Sequence, residues 1–140
     1  MSTEHNKAIA RRSVEELWNK CNVGVIDELF AENYVDHSTV PPWGKAADRC
    51  LWKEGMGAVL AGAPPDLHIT TEDQIAEEDK VMTRWTLSFT HTAAFLGVAP
   101  TGKRITWAGS SIHRLEGGKI VAEWSNWDDL RVCRYLGRIA

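Results

Sequence analysis

Cysteine is scarce in this chain of 140 residues: Cys21, Cys50 and Cys133 are odd in number, widely spaced and form no CxxC pair. Such a set builds neither a disulfide framework nor a thiolate zinc site, so reduced thiols in a cytoplasmic compartment are expected. No run approaches the ~20 apolar residues of a membrane span. The start, MSTEHNKAIARRS, lacks the apolar stretch of a signal peptide. Lysine and arginine nowhere cluster, and the formal net charge of -3 gives no footprint for nucleic acid. Neither nucleic acid nor a membrane is therefore expected as a partner. HExxH and GxSxG are absent, and Gly97 and Gly102 precede a strand rather than follow one. Metal-assisted hydrolysis, a covalent serine and phosphoryl transfer thus lack their motifs, and no metal site is expected.

Tryptophan, by contrast, is abundant, with seven residues in a chain that is 44% hydrophobic and 25% charged. Large aromatics fill cores, and they also wall apolar ligand pockets. The length suits a single domain over residues 1–140, able to bury about two-thirds of the surface its unfolded chain would expose. There is no internal repeat and no linker.

Helical spacing comes first. Ile9, Val14, Leu17, Trp18 and Cys21 recur at three- and four-residue steps and predict an amphipathic helix over 4–21. Ser13 interrupts that stripe; it either bonds a carbonyl one turn back or marks where the helix faces a cavity. A shorter helix is predicted over 25–30, and prolines in the segment 38–42 end regular structure. A helix over about 46–61 contains Gly55 and Gly57, so either packing holds it or it is a mobile cover. Strand spacing follows. Val81, Thr83, Trp85, Leu87 and Phe89 alternate with Met82, Arg84, Thr86, Ser88 and Thr90 in the clearest strand of the chain. Asp128 or Asp129 caps a last helix through Leu136, closed by Gly137. Helices first and antiparallel strands after predict an α+β fold with helices on one face of a curved sheet.

The hairpin over 104–127, RITWAGSSIHRLEGGKIVAEWSNW, carries the densest set of acid/base groups. A two-residue Gly117-Gly118 loop pairs Leu115 with Ile120 and sets His113 beside Ala122. A three-residue loop with a glycine bulge at Gly118, the preferred reading, pairs Leu115 with Lys119. It places Ser111, His113, Val121, Glu123, Ser125 and Trp127 on one face. Among the other histidines, His5 and His68 read as solvated, while His91 ends the apolar strand and lines a cavity mouth or caps a turn. His37 follows Asp36 ahead of the prolines. Glu123 and Asp128 flank Trp124-Ser125-Asn126-Trp127, and a carboxyl held against indole rings loses hydration, which suits it to proton transfer. The competing structural roles are an ion pair with Arg114 for Glu123 and a helix cap for Asp128.

Several short motifs in order resemble SnoaL-like polyketide cyclases. They are Tyr34-Val35-Asp36-His37, Thr90-His91-Thr92 with Phe95-Leu96-Gly97, Pro100-Thr101-Gly102-Lys103, Ile112-His113-Arg114 with Gly118-Lys119-Ile120, Glu123-Trp124 with Trp127-Asp128, and Leu136-Gly137. The resemblance implies the cone-shaped α+β barrel of the nuclear-transport-factor-2-like fold, its curved, mostly antiparallel sheet and N-terminal helices enclosing a pocket. It also implies ring closure by intramolecular aldol condensation without metal or cofactor, and a homodimer formed through the sheet. The cyclases' strand histidine matches His113, and a neighbouring polar pocket residue matches Ser111. Their acid/base aspartate falls at Ser125, which cannot serve as that acid, so Glu123 or Asp128 must substitute. Residues 43–62, 87–89, Trp107 and 131–135 look unlike the family, as in a pocket reshaped for another ligand.

These observations point to a cofactor-independent acid/base enzyme acting on a small apolar carbonyl compound. The expected proton-transfer pair is His113 and Glu123, with His37 and Asp128 next. Trp18, Trp85, His91, Ser111, Ser125 and Trp127 are expected to shape the pocket, its hydroxyls or a second histidine polarising the carbonyl. Two alternatives stand beside this reading: a non-catalytic small-molecule-binding module, and hydration of an epoxide, for which Arg84 with Asp36 or Asp128 supplies parts of the needed network without support from their spacing.

Overall fold

The computed structural model describes residues 2–38, 46–95 and 97–138. The prolines at 41 and 42, expected to end regular structure, and Trp43 lie outside the described residues. The elements are α1 (Thr3–Arg12), a π-helical segment (Ser13–Asn19), α2 (Val25–Leu29), β1 (Phe30–Asp36), β2 (Ala47–Asp48), α3 (Arg49–Ala61), β3 (His68–Glu77), β4 (Lys80–Thr90), β5 (Arg104–Glu116), β6 (Lys119–Trp127) and α4 (Asp129–Tyr135). The strands form one curved, open sheet in the order β2-β1-β6-β5-β4-β3. Only β1 and β6 run parallel; the other neighbours are antiparallel. No helix among the described residues is long and apolar enough to cross a membrane.

The first helix departs from the expected single run over 4–21. Ser2 caps it by accepting from His5 N–H at 3.1 Å. From Ser13 the pairing widens to i→i+5, as where Lys20 N–H donates to Glu15 O at 3.1 Å. The wider turn presents Ser13, Val14, Leu17 and Trp18 together toward the sheet. Asn19 ties the segment to the edge strand, accepting from Ile69 N–H at 2.8 Å and donating to Ile69 O at 2.9 Å. Helical pairing stops there, so Cys21, expected in the buried stripe, is exposed with a φ of 54°.

Phe30 was expected to close the second helix; instead it opens β1. Phe30, Tyr34 and Asp36 point inward, but Glu32 and Asn33 between them are exposed and hide the alternation from a local reading. The parallel partner, β6, lies some ninety positions on. The third helix starts at Arg49, after the two-residue strand β2, and Asp48 caps it by accepting from Leu51 N–H at 2.9 Å. Its glycines are offset by packing: Trp52, Met56 and Leu60 are buried at steps of four, and Trp52 lies 4.7 Å from Phe30 and 5.3 Å from Tyr34 between ring centroids.

On β4, Val81, Thr83, Trp85, Leu87 and Phe89 are all buried, as their spacing predicts. The β5–β6 turn is the two-residue Gly117-Gly118 form, with φ of 57° and 81°, pairing Leu115 with Ile120. This corrects the three-residue expectation: two glycines accept two successive positive φ angles without a Cβ clash. That turn alone would put His113 beside Ala122. A bulge at Val121 absorbs one residue, so Arg114 pairs with Ala122 and His113 with Glu123. The expected facing therefore arises by a different route.

Candidate functional site

Ser111 and His113 on β5, and Glu123, Ser125 and Trp127 on β6, face a small hollow under the π-helical segment. Ser13, Leu17 and Trp18 roof it, and Thr83, Trp85 and Trp52 close its sides. The hollow has a volume of about 40 Å³, room for two or three water molecules. Ser13 fulfils both of its proposed roles: its hydroxyl donates to Ala10 O at 2.7 Å, and the residue lines the hollow.

The polar side chains form a chain with a fixed direction. Trp85 Nε1–H, a donor only, donates to Ser111 Oγ at 3.0 Å. Ser111 and Ser125 hydroxyls lie 2.7 Å apart, and Ser125 Oγ donates to Glu123 Oε2 at 3.1 Å. Since the Ser125 proton goes to the carboxylate, the serine–serine bond must be donated by Ser111. At the other oxygen, His113 Nε2 lies 2.7 Å from Glu123 Oε1. With the proton on Nε2, the opposite ring nitrogen, Nδ1, is buried without a partner. Glu123 thus takes no ion pair with Arg114, which instead meets Glu116 at 2.6 Å and Asp79 at 3.8 Å.

Gly109 makes room for the tryptophans. It sits opposite Trp85 on one side and Trp127 on the other. A Cβ there would stand 2.4 Å from Trp85 Cζ2 and 2.6 Å from Asn126 O. The bare backbone lets the Trp85 indole lie across β5 and reach Ser111. Trp127 meets Trp85 at 4.5 Å, Trp107 at 4.7 Å and Trp18 at 6.2 Å between centroids. Trp127 Nε1 is buried and unpaired.

Three expected residues lie elsewhere. His37 is exposed and stacks on Trp124 at 5.0 Å on the outer face of the sheet, because alternation along β1 turns Asp36 inward and the next residue out. Asp128 is exposed and caps α4 by accepting from Arg131 N–H at 3.3 Å, the structural role weighed above. His91 is fully buried, but it organises a loop rather than lining the hollow. Its Nδ1 accepts from Thr101 N–H at 3.2 Å and lies 2.8 Å from Thr101 Oγ1, while its backbone bonds Lys103 and Gly102. Arg84 points outward toward Asp73 at 3.9 Å. The Asp-Arg-Asp arrangement for epoxide hydration is therefore not assembled among the described residues.

Two groups have surroundings that the sequence reading does not assign them. Tyr34 is fully buried, and its hydroxyl has no hydrogen-bond partner among the described residues. Burial first, then the charges of Glu123 and Asp36, hold its phenol well above the usual pKa. Its signal was its place two residues before Asp36 on one strand face. Asp129, one residue past the expected Asp128, turns toward Trp107; burial pushes its carboxyl pKa up, an effect opposed by Trp107 and reinforced by Asp128. No group of three metal-ligating side chains converges among the described residues.

The family model of SnoaL-like polyketide cyclases matches residues 8–136. Among solved structures, AclR from Streptomyces galilaeus, a candidate hydroxylase, is 27% identical with a TM-score of 0.83, covering 99% of this chain and 100% of that one. A candidate polyketide cyclase from Acidithiobacillus ferrooxidans is also 27% identical at a TM-score of 0.83, with 100% of both chains covered. IdmH from Streptomyces antibioticus, another candidate polyketide cyclase, is 26% identical at 0.81, covering 94% and 98%. Among proteins of curated function, none matches the chain.

Proposed function

Because the chain belongs to the SnoaL-like polyketide cyclase family, we propose that it is a cofactor-independent acid/base enzyme. Its substrate is a small apolar carbonyl compound, and its reaction an aldol-type cyclisation, an isomerisation or a related proton abstraction. One observation carries this reading: in His113, which lines the hollow, Nε2 lies 2.7 Å from the Glu123 carboxylate while Nδ1 is buried and unpaired. A carboxylate that fixes the tautomer of a histidine leaves the second nitrogen as the base.

In this mechanism His113 Nδ1 takes a proton from the carbon next to the carbonyl. The imidazolium that forms is balanced by Glu123, and the electron pair moves onto the carbonyl oxygen as an enolate. In cyclisation the enolate carbon bonds to a second carbonyl of the same molecule, whose alkoxide recovers the proton from His113. Isomerisation returns the proton to a different carbon. The hydroxyls of Ser111 and Ser125 are already committed to the chain ending at Glu123, so they do not polarise the carbonyl. Trp127 Nε1–H, buried and unpaired in a residue that lines the hollow, is a donor free to meet that oxygen.

The volume sets a further condition. Pockets for drug-sized ligands span roughly 300–1,000 Å³, far above the space present. Binding therefore displaces indole rings, foremost Trp18 and Trp127, and favours a compact substrate. The outer face supports a homodimer through the sheet: Ile75, Met82, Ile112 and Trp124 pair in one row across β3, β4, β5 and β6, and all four are exposed.

The test is exchange of solvent deuterium into small cyclic and aromatic ketones, with product mass read alongside. His113→Ala lowers turnover by about 100-fold or more, the scale of a lost general base, while its circular dichroism and melting curve stay those of the parent. Unchanged turnover would overturn the assignment. Quenching of tryptophan fluorescence by aromatic polyketones with no product formed favours the binding-module reading, which the serine at position 125 supports. A product gaining one oxygen would align the chain with what the name of AclR describes.

A further inference from the structure

Behind the dyad lies a side chain that does not reach the hollow. Tyr34 heads the fully buried residues by size, and its hydroxyl makes no hydrogen bond of good geometry. Its ring is gripped by Phe30 at 4.9 Å and Trp52 at 5.3 Å between centroids, so packing decides where the hydroxyl sits. A buried hydroxyl without a partner is a standing cost, and native proteins pair such groups.

The sheet register identifies the partner. On the parallel β1–β6 pair, Asp36 stands opposite Glu123. Tyr34 lies two residues earlier on the same inward face, diagonal to Glu123 and within reach of a long aromatic side chain. Asp36 already accepts from Ser38 N–H at 2.8 Å, and Ser38 Oγ accepts from Ser125 N–H at 2.9 Å, which ties β1 to β6 beside the dyad. Burial and the nearby carboxylates keep the phenol protonated, so toward them it is a donor.

We propose that Tyr34 is a positioning residue: its O–H donates to Glu123 and holds the carboxylate so that Oε1 faces His113. Glu123 then has three donors, Tyr34, Ser125 and His113, one from each of β1, β6 and β5. The role rests on the acid/base reading for its meaning in turnover, but its geometry is a property of the free protein. Among the described residues lining the hollow, His113 and Glu123 are the ones with titratable side chains, with Tyr34 and Asp36 behind them.

The experiment is a pH titration of the His113 imidazole by NMR, its resonance assigned by loss in His113→Asn. In Tyr34→Phe the carboxylate loses a competing donor, its charge falls more fully on His113, and the midpoint rises by about 0.5 unit. kcat falls about tenfold with KM nearly unchanged, as expected for a displaced base. A midpoint equal to that of the parent, with only a lowered Tm, would make Tyr34 a packing residue and overturn the proposal. A second measurement avoids dependence on that variant: in Glu123→Gln the Tyr34 ring Cζ resonance moves, and an unmoved signal also overturns it. The midpoint shift in Tyr34→Phe, with a parent protein that turns over no ketone, would leave the positioning role standing and remove the acid/base reading.

Discussion

The two faces of the β5–β6 hairpin share one backbone and obey opposite rules. Inward, the paired residues are Ser111 with Ser125 and His113 with Glu123, polar groups buried or half-buried and joined into a directed chain. Outward, Ile112 pairs with Trp124, apolar side chains that are 39% and 38% exposed. A sheet that covers a core ordinarily does the reverse. Local rules broken in this way mark functional surfaces. The inner break is compensated by hydrogen bonds within the chain itself; the outer row is the face that the proposed homodimer would cover.

The largest expected effect comes from removing the space that the inner face depends on. Gly109→Ala puts a Cβ 2.4 Å from an indole carbon and 2.6 Å from a backbone carbonyl, so the indole or the strand must shift. A loss of about 3 kcal/mol follows, the upper range for overpacking, read as a lower denaturant midpoint; a variant as stable as the parent would mean that Trp85 does not need the cradle. The outer face is probed next. Ile112→Glu combined with Trp124→Glu yields a monomer in sedimentation while turnover stays within about twofold, since exposed sites away from the core change stability by about 0.5 kcal/mol or less. A dimer that persists would move the interface off this face.

The smallest effect concerns Asp129, at the mouth of the indole cluster. Its carboxyl pKa is raised above 3.8 by burial. The folded state therefore holds the proton more tightly than the unfolded chain, and this contribution to stability falls as pH rises from about 4 through the raised pKa. Asp129→Asn removes that slope. Relative to the parent, the variant gains stability as pH rises from about 4 to 7 in melting experiments. A constant difference across that range would show that the carboxyl titrates as if in water.

Strong periodicity was legible in the chain. The five inward residues of β4 follow from alternation alone, and so does the hairpin, because glycine pairs and β-branched runs state their preferences locally. His113 faces Glu123, as strand alternation in the hairpin predicts, even though the turn is the tighter two-residue form. The bulge at Val121 restored the facing that the tighter turn would have undone, and nothing local to Val121 announces a bulge. β1 was missed because its partner is remote and its exposed middle residues look like loop. His37 and Asp128 drew notice as titratable groups near aromatics, yet strand alternation and capping geometry turned both to solvent. Tyr34 was passed over, since a tyrosine in an unrecognised strand gives no sign of which carboxylate it will meet.

Composition, spacing and motif order thus determined the α+β class, the wealth of indole, the hairpin and the pair that it carries. These are short-range properties, set by backbone preference and by burial of one face. Tertiary structure alone decided the direction of the hydrogen-bond chain, the size of the hollow, the seat of Trp85 on Gly109 and the burial of Tyr34 against Phe30 and Trp52. Each of those depends on atoms from elements apart in sequence meeting within a few ångströms, and only close packing in three dimensions fixes such distances.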